Sequence, residues 1–135
     1  MTSIDMDTGN SIDFYIKAVL GRKAINIVAL DIAKLTSFAD VFIICSGRSN
    51  RQVSAIAEFI SLFLKQHGIM PLSVEGMKDG HWVVLDYGHV IIHVFLESIR
   101  EFYDLEGLWI DAKRIKIDKI VDSNQDETEM MENDE

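Results

Sequence analysis

Two apolar runs rich in β-branched residues, His81–Asp86 and His89–Leu96, flank the dipeptide Tyr87-Gly88. A two-residue connection with glycine in its second position is typical of a tight β-hairpin. This feature constrains the fold most strongly, because a tight hairpin sets both the pairing of two strands and their register. The predicted cross-strand pairs are Asp86 with His89, Val84 with Ile91, and Trp82 with His93.

Alternation along the hairpin sorts its side chains onto two faces of a sheet. One face is entirely aliphatic, which predicts core packing; its members are Val83, Leu85, Val90, Ile92, Val94 and Leu96. The other face mixes aromatic, polar and aliphatic side chains: Trp82, Val84, Asp86, His89, Ile91, His93 and Phe95. We interpret this second face either as another packed layer with polar residues at its edge or as a binding surface.

The remaining patterns predict the order α-β-β-α-β-β-β-α. The predicted elements are a helix over Ser11–Lys23, strands over Ile25–Ile32 and Val41–Ser46, a helix from Ser49 that ends at Gly68, a strand over Leu72–Glu75, the hairpin, and a last helix from Glu97 to Trp109. Ser49 and Gln52 have the spacing of a capping box. Val41–Ser46 is apolar on both sides and therefore belongs in the middle of a sheet. The order predicts an α/β fold, a single domain with a five-stranded mixed sheet and helices on its faces.

Acidic residues are concentrated at the carboxyl end of the 135-residue chain. The net charge is -9, and residues 118–135 contribute -7 of it through eight acids and one base. We predict a flexible N-terminus at residues 1–10, a folded domain at 11–116, and an acidic disordered tail at 117–135. The domain itself is nearly neutral, which argues against direct binding to a nucleic-acid backbone and is compatible with a basic protein partner.

Membrane-spanning stretches and targeting peptides are the sequence features that bear on the cell compartment. No apolar stretch is long enough to span a bilayer, and the first ten residues resemble neither a signal peptide nor a transit peptide. The single cysteine, Cys45, lies within an apolar strand pattern and is interpreted as a buried, inert thiol. We therefore predict a cytoplasmic protein without a membrane partner.

A phosphate-binding turn is one interpretation of Ser46-Gly47-Arg48-Ser49, because the turn precedes a helix whose first N–H groups can bind anions. The simpler interpretation is a strand–turn–helix connection capped by Ser49. A nucleotidyltransferase would also require paired carboxylates on neighbouring strands to hold Mg²⁺. After Gly47, the strand-borne acids are Glu75 and Asp86, and each stands alone. We therefore predict neither an enzyme nor a cofactor.

Metal binding is also disfavoured by spacing. His89 and His93 share a strand face, but four residues separate two side chains by roughly 13 Å along a strand. With one cysteine in the chain, no zinc-ligand spacing occurs. No candidate nucleophile has an identifiable base beside it in the sequence. We therefore predict that the second hairpin face performs no chemistry.

A cluster of aromatic and polar residues remains. On the hairpin, Trp82 is predicted to face His93 and Asp86 to face His89; Arg100, Tyr103 and Trp109 follow on the last helix. Trp, Tyr and Arg are the residue types that dominate binding energy at protein–protein interfaces. The alternative is that Trp82 and Tyr103 fill the second layer of the core. Residue types alone leave both interpretations open.

Several segments of this chain together resemble the ribosomal silencing factor family, also called the Iojap family. They are Ala39–Gln52, Val74–Gly76, Trp82–Gly88, Ile92–Phe95 and Arg100–Trp109. The segments occur in the family's order and spacing, and the resemblance runs from about residue 11 to residue 114. The acidic tail lies outside this range.

The resemblance implies a function that the residues alone did not. Family members bind ribosomal protein fourteen of the large subunit, block joining of the small subunit, and so lower translation when nutrients are short. They form homodimers when free, and their fold is similar to the nucleotidyltransferase fold, here without its catalytic carboxylates. We therefore expect a translation repressor that contacts its partner through Trp82, Asp86, His93, Arg100 and Tyr103. A nucleotidyltransferase-like enzyme and a generic dimeric interaction module are the alternatives.

The acidic tail allows two interpretations. It either steers the protein electrostatically toward a basic ribosomal protein or simply keeps the protein soluble.

Overall fold

A six-stranded mixed sheet organises the computed structural model, which describes residues 12–117. The elements are α1 (12–20), β1 (Ile25–Asp31), β2 (Val41–Gly47), α2 (Asn50–Gln66), β3 (Ser73–Glu75), β4 (Trp82–Asp86), β5 (Val90–Leu96), α3 (Glu97–Tyr103), α4 (Leu105–Leu108) and β6 (Lys113–Arg114). The strands lie in the order β3-β4-β5-β2-β1-β6. β2 and β5 run parallel, whereas the other neighbours run antiparallel. The predicted N-terminal segment 1–10 lies outside the described residues, as does the acidic tail except for Ile117.

β2 occupies the middle of the sheet, between β5 and β1, as its double-sided apolar pattern predicted. All seven of its residues are buried. Cys45 lies in this strand with no exposed surface, and burial raises the pKa of its thiol to about 12, although the positive charge of Arg100 acts in the opposite direction. The thiol is therefore buried and protonated at neutral pH, which confirms the interpretation that it is inert.

Two apolar layers lie on opposite faces of the sheet. α1 and α2 pack on one face, where the aliphatic side of the hairpin, including Val83, Leu85 and Ile92, joins the larger core. This confirms the predicted core face. A smaller cluster on the other face contains Phe42, Ile44 and Phe95. Residues of α3, α4 and their flanking turns pack against this second cluster, and those two helices contain no buried residue.

The predicted caps of α2 are present at both ends. The Ser49 hydroxyl accepts a hydrogen bond from the Gln52 backbone N–H (3.1 Å), and the Gln52 side chain accepts one from the Arg48 N–H (2.6 Å). At the other end, Gly68 adopts a φ of +76°, and the N–H groups of Gly68 and Ile69 donate to the carbonyls of Lys65 and Leu64. These two hydrogen bonds together form a Schellman motif, whose left-handed residue glycine can adopt without steric cost.

The prediction of five strands was wrong, because β6 adds a sixth. Lys113 and Arg114 pair with Asp31 and Leu30 at the outer edge of β1, and the Ile115 N–H donates to the Ala29 carbonyl. Two residues are too few to produce a readable alternation in sequence. The pairing matters because it covers the free edge of β1.

The predicted hairpin register was wrong by two residues. Asp86 lies opposite Ile91, Val84 opposite His93, and Trp82 opposite Phe95. Three residues, 87–89, connect the two strands. Within this turn the Asp86 carboxylate accepts a hydrogen bond from the Gly88 N–H, and the His89 carbonyl accepts hydrogen bonds from the N–H groups of Asp40 and Val41. A shift of two residues leaves every side chain on its predicted face.

The last helix is also interrupted, contrary to prediction. Asp104 adopts a left-handed conformation (φ +45°, ψ 55°) that ends α3, and its side chain accepts a hydrogen bond from the Gly107 N–H at the start of α4. Part of this segment is exposed and aromatic, since Phe102 is 80% exposed and Tyr103 52%. No helix within residues 12–117 is long and apolar enough to cross a membrane.

Candidate docking surface

A row of aromatic rings emerges from the second sheet face at Trp82. The Trp82 ring stacks on Phe95, its cross-strand partner, with centroids 4.7 Å apart and planes 26° apart. Tyr103 of α3 lies against Trp82 at 5.1 Å, and Phe102 contacts Tyr103 edge-on at 5.1 Å. Because Trp82 is half-buried and the two α3 rings are exposed, the row leads from the core to solvent. We call Trp82, Phe102 and Tyr103 the docking surface.

His93 lies beneath this surface and not on it. Its side chain is 6% exposed, and its Nδ1 accepts a hydrogen bond from the Trp82 indole N–H at 3.1 Å. Burial lowers the pKa of His93 to about 4, so the imidazole is neutral at physiological pH. Its Nε2 has no hydrogen-bond partner among the described residues. His93 therefore supports Trp82 from inside.

Arg100 is directed inward, toward the sheet. Its guanidinium donates two hydrogen bonds to the carboxylate of Glu106 (2.9 and 3.0 Å), and also donates to the Asn26 carbonyl (2.7 Å) and to the Ser46 hydroxyl (2.8 Å). Only 11% of its side chain is exposed. The hydrogen bond from Arg100 is the main cause that lowers the pKa of Glu106. Arg100 thus joins α3 and α4 to the ends of β1 and β2.

Asp86 lies at the far end of β4 from Trp82 and caps the hairpin turn through Gly88. The structure therefore brings together three of the five predicted residues, Trp82, His93 and Tyr103. Arg100 holds the helix that carries Tyr103, and Asp86 lies apart from the ring row.

The sequence analysis included Trp109 in the predicted cluster but missed Phe42 and Phe38, which connect to it. Phe42 contacts both His93 (4.7 Å) and Trp109 (5.5 Å), and Trp109 contacts Phe38 (6.1 Å). Phe38 is 58% exposed. It lies in a segment that was predicted only as a connection, so no periodicity marked it. The ring array thus continues across the sheet to a second exposed aromatic.

The turn that resembled a phosphate-binding loop is occupied by its own caps. The Arg48 and Gln52 N–H groups both donate to side chains of the turn, which favours a plain strand–turn–helix connection. A neighbouring cavity of about 440 Å³ is lined by Arg100 but also by four acidic residues, Glu97, Glu101, Asp104 and Glu106. This acidic lining disfavours a phosphate. Within residues 12–117 there is no group of three or more His, Cys, Asp or Glu side chains that could hold a metal ion.

The fold and its surface define a small α/β protein with an aromatic candidate interface. The chain belongs to the ribosomal silencing factor family, since the model of the family described as "Ribosomal silencing factor during starvation" matches residues 6–135. That match extends beyond residues 11 to 114, the range of the sequence resemblance, and includes the acidic tail.

Individual relatives agree with this assignment. A ribosomal silencing factor from Chromobacterium violaceum is 42% identical over 94 residues, which cover 70% of this chain and 77% of the relative. One from Halalkalibacterium halodurans is 37% identical over 106 residues, covering 78% and 91%. A crystal structure of a Bacillus halodurans protein has a TM-score of 0.71 at 33% identity and covers 80% of this chain and 98% of that protein.

Proposed function

We propose that this protein is a translation repressor. It binds the large ribosomal subunit through ribosomal protein fourteen and sterically blocks joining of the small subunit, which lowers translation when nutrients are short. The observation that carries the proposal is the exposed aromatic row of Trp82, Tyr103 and Phe102 on a member of the ribosomal silencing factor family.

The binding energy of the proposed interface comes mainly from its aromatic rings. Aromatic side chains contribute large contact areas at little cost in conformational entropy, and interfaces concentrate their energy in a few such residues. Tyr103 is half-exposed, and its ring rests on Trp82, so its position is already set before a partner arrives. A pre-positioned ring binds more tightly because less freedom is lost on association.

The five predicted residues receive different roles in this proposal. Trp82 and Tyr103 contact the partner directly, and His93 holds the Trp82 ring from beneath. Arg100 is a positioning residue that orients α3 through Glu106 and Ser46. Asp86 lies apart from the ring row, at the far end of β4, and in this proposal it is an outlying acidic contact for a basic partner.

The rest of the proposal follows from the family resemblance. The protein acts in the cytoplasm, requires no direct contact with nucleic acid, and forms a homodimer when free. The likeness to the nucleotidyltransferase fold also stays a proposal. The absence of paired strand carboxylates supports a scaffold that serves binding and not catalysis.

A gradient experiment with purified subunits tests the proposal. Large and small subunits are mixed with and without this protein, and joined particles are separated by sedimentation. We expect loss of the joined particle, with the protein sedimenting on the large subunit. If the joined particle persists at saturating protein, or if the protein stays at the top of the gradient, the proposal fails.

A matched pair of variants assigns the surface. Tyr103→Ala should weaken binding to the large subunit by about 2 kcal/mol, roughly 30-fold. Leu62→Ala removes a comparably exposed side chain (58%) from α2 on the opposite layer and should leave the affinity unchanged. Equal affinities for the two variants, with both folded by circular dichroism, would remove the docking surface from the proposal.

A further inference from the structure

A groove with a positive lining lies between the turn after α1 and the first turns of α2. Gly21, Arg22, Lys23, Gln52, Ala55 and Ile56 line it, and its volume is about 310 Å³. Two of the six lining residues are basic, and none is acidic. We call these six residues the basic groove. It is separate from the docking surface, since α1 and α2 pack on the opposite face of the sheet.

The bases around the groove have little internal compensation. Arg51 is exposed on α2, next to Gln52 and one helical turn before Ala55, both of which line the groove, so it adds a third positive charge on the α2 side. The Arg22 guanidinium lies 5.7 Å from the centre of the Phe59 ring, which holds it by a cation–π contact. Within residues 12–117, no ion pair engages Arg22, Lys23 or Arg51. An anionic occupant would therefore gain from three nearby cations.

The path of the chain leads from β6 toward this groove. β6 runs antiparallel to β1: Lys113 pairs with Asp31, Arg114 with Leu30, and the Ile115 N–H bonds to the Ala29 carbonyl. Each further residue along this pairing thus lies nearer to the start of β1, which begins two residues after Lys23. Ile115 and Ile117 pack against the same core cluster as Leu20 and Ala24. Ile117, the last described residue, therefore lies on the sheet face that carries α1 and the turn after it.

The segment that follows Ile117 has the complementary charge. Residues 118–135 carry a net charge of -7. Eighteen residues can span up to roughly 60 Å when extended, which is several times the length of the short stretch of β1 along which the segment would have to run to reach the turn at Lys23. Because the segment is tethered, its effective concentration at the groove is in the millimolar range, so even a weak electrostatic contact is populated.

We infer that the acidic segment 118–135 of this chain occupies its own basic groove. The contact is electrostatic, between the carboxylates of the segment and Arg22, Lys23 and Arg51. It neutralises this basic surface and keeps other polyanions away from it. RNA is the competing occupant, and the test below separates the two.

A distance measurement on the full chain tests this inference. Ser123→Cys places a labelling site in the segment without a change of charge, and Cys45 does not compete because it is fully buried. A nitroxide attached there should broaden the amide resonances of Arg22, Lys23 and Gln52 more than those of Ile91 or Tyr103. The broadening should disappear near 1 M salt, where the screening length falls to about 3 Å.

Charge variants of the full chain provide the controls. Conversion of the eight acidic residues in 118–135 to their amides should abolish the selective broadening, and Arg51→Glu should reduce it. Lys78→Glu makes the same change of charge at an exposed site in the β3–β4 turn and should have no effect. Arg51 is exposed at the start of α2, where an acidic residue is favourable, so this variant is expected to fold.

Two results would overturn the inference. One is broadening that is uniform over the domain or unaffected by neutralisation of the segment. The other is a shift of the groove resonances by duplex RNA that is equally large in the native and the neutralised chain. The groove would then belong to RNA, and the acidic segment would not be its occupant.

Discussion

The indole N–H of Trp82 donates a 3.1 Å hydrogen bond to Nδ1 of His93, and this bond connects an exposed aromatic surface to the buried layer beneath it. Since Nδ1 accepts, the proton of the neutral imidazole lies on Nε2. Trp82 and His93 are not direct cross-strand partners. Trp82 lies opposite Phe95 and reaches His93 diagonally, on the same face of the sheet.

Trp82→Phe should separate the hydrogen bond from the packing of the ring. The variant keeps an aromatic ring on Phe95 but leaves Nδ1 of buried His93 without its donor. Loss of a buried hydrogen bond with one partner retained costs about 1–3 kcal/mol. We expect a decrease of that size in the free energy of unfolding, measured by urea denaturation.

Tyr103→Phe removes a hydroxyl from an exposed ring and serves as the control. Equal midpoints for both variants would mean that the bond contributes nothing.

The stability of the protein should depend on pH through His93. Burial lowers its pKa from 6.5 to about 4 in the folded state. Below pH 6.5 the unfolded chain therefore binds a proton that the folded chain does not, so stability is lost as the pH falls from 6.5 toward 4. The full effect is on the order of 3 kcal/mol.

His93→Asn tests this dependence while its amide oxygen still offers an acceptor to Trp82. The comparison is between the slopes of unfolding free energy against pH for the native chain and the variant. The variant should have the flatter slope between pH 6.5 and 4, whereas acidic residues contribute equally to both. Parallel slopes over that interval would show that His93 takes up a proton in the folded state as readily as in the unfolded state.

Arg100→Ala should destabilise the fold strongly, even though arginine at an interface is often a contact residue. The change leaves the Glu106 carboxylate and the Asn26 carbonyl without their donor. Removal of one partner from a buried ion pair costs about 3–5 kcal/mol. We expect about 2–4 kcal/mol, because Glu106 is still 26% exposed and water screens part of the charge.

The matched control is Arg48→Ala. Arg48 forms an ion pair with Glu97 at 4.0 Å, but both side chains are at least half-exposed. Such a pair contributes less than about 1 kcal/mol. If the two variants unfold at the same urea concentration, Arg100 is not a positioning residue. The expectation that Arg100 contacts the partner directly would then be favoured again.

Periodicity predicted most of the fold because burial is periodic. The double-sided apolar pattern of β2 and the two faces of the hairpin were both read correctly, and the caps of α2 followed from Ser49, Gln52 and Gly68. The predicted hairpin register was wrong because the register depends on hydrogen bonds to the Asp86 side chain and the His89 carbonyl, which a hydrophobic pattern does not reveal. The strand β6 was not predicted, because two residues are too few to show a periodic pattern.

The candidate site was only partly readable for a related reason. Trp82 and Tyr103 were identified from residue type, and the structure shows them in contact. Residue type could not distinguish an arginine on the surface from one held inward, since that depends on Asn26, Ser46 and Glu106, which lie on three different elements. Asn26 itself adopts a φ of +51°, at a register shift in β1 that brings its carbonyl to Arg100.

The helix break at Asp104 should affect binding at the docking surface, although Asp104 is not one of the residues of that surface. Asp104 ends α3 directly after Tyr103 and caps α4 through the Gly107 N–H, so its left-handed conformation sets where the Tyr103 ring lies relative to Trp82. Asp104→Ala loses the cap and places an alanine at a φ of +45°, which costs roughly 1–2 kcal/mol. Asp104→Asn keeps both a capping oxygen and a tolerance for this conformation. We expect the alanine variant to bind the large subunit several-fold more weakly and the asparagine variant to bind normally, as measured by co-sedimentation. If both bind like the native chain while only the alanine variant melts at a lower temperature, the break stabilises the fold without positioning Tyr103.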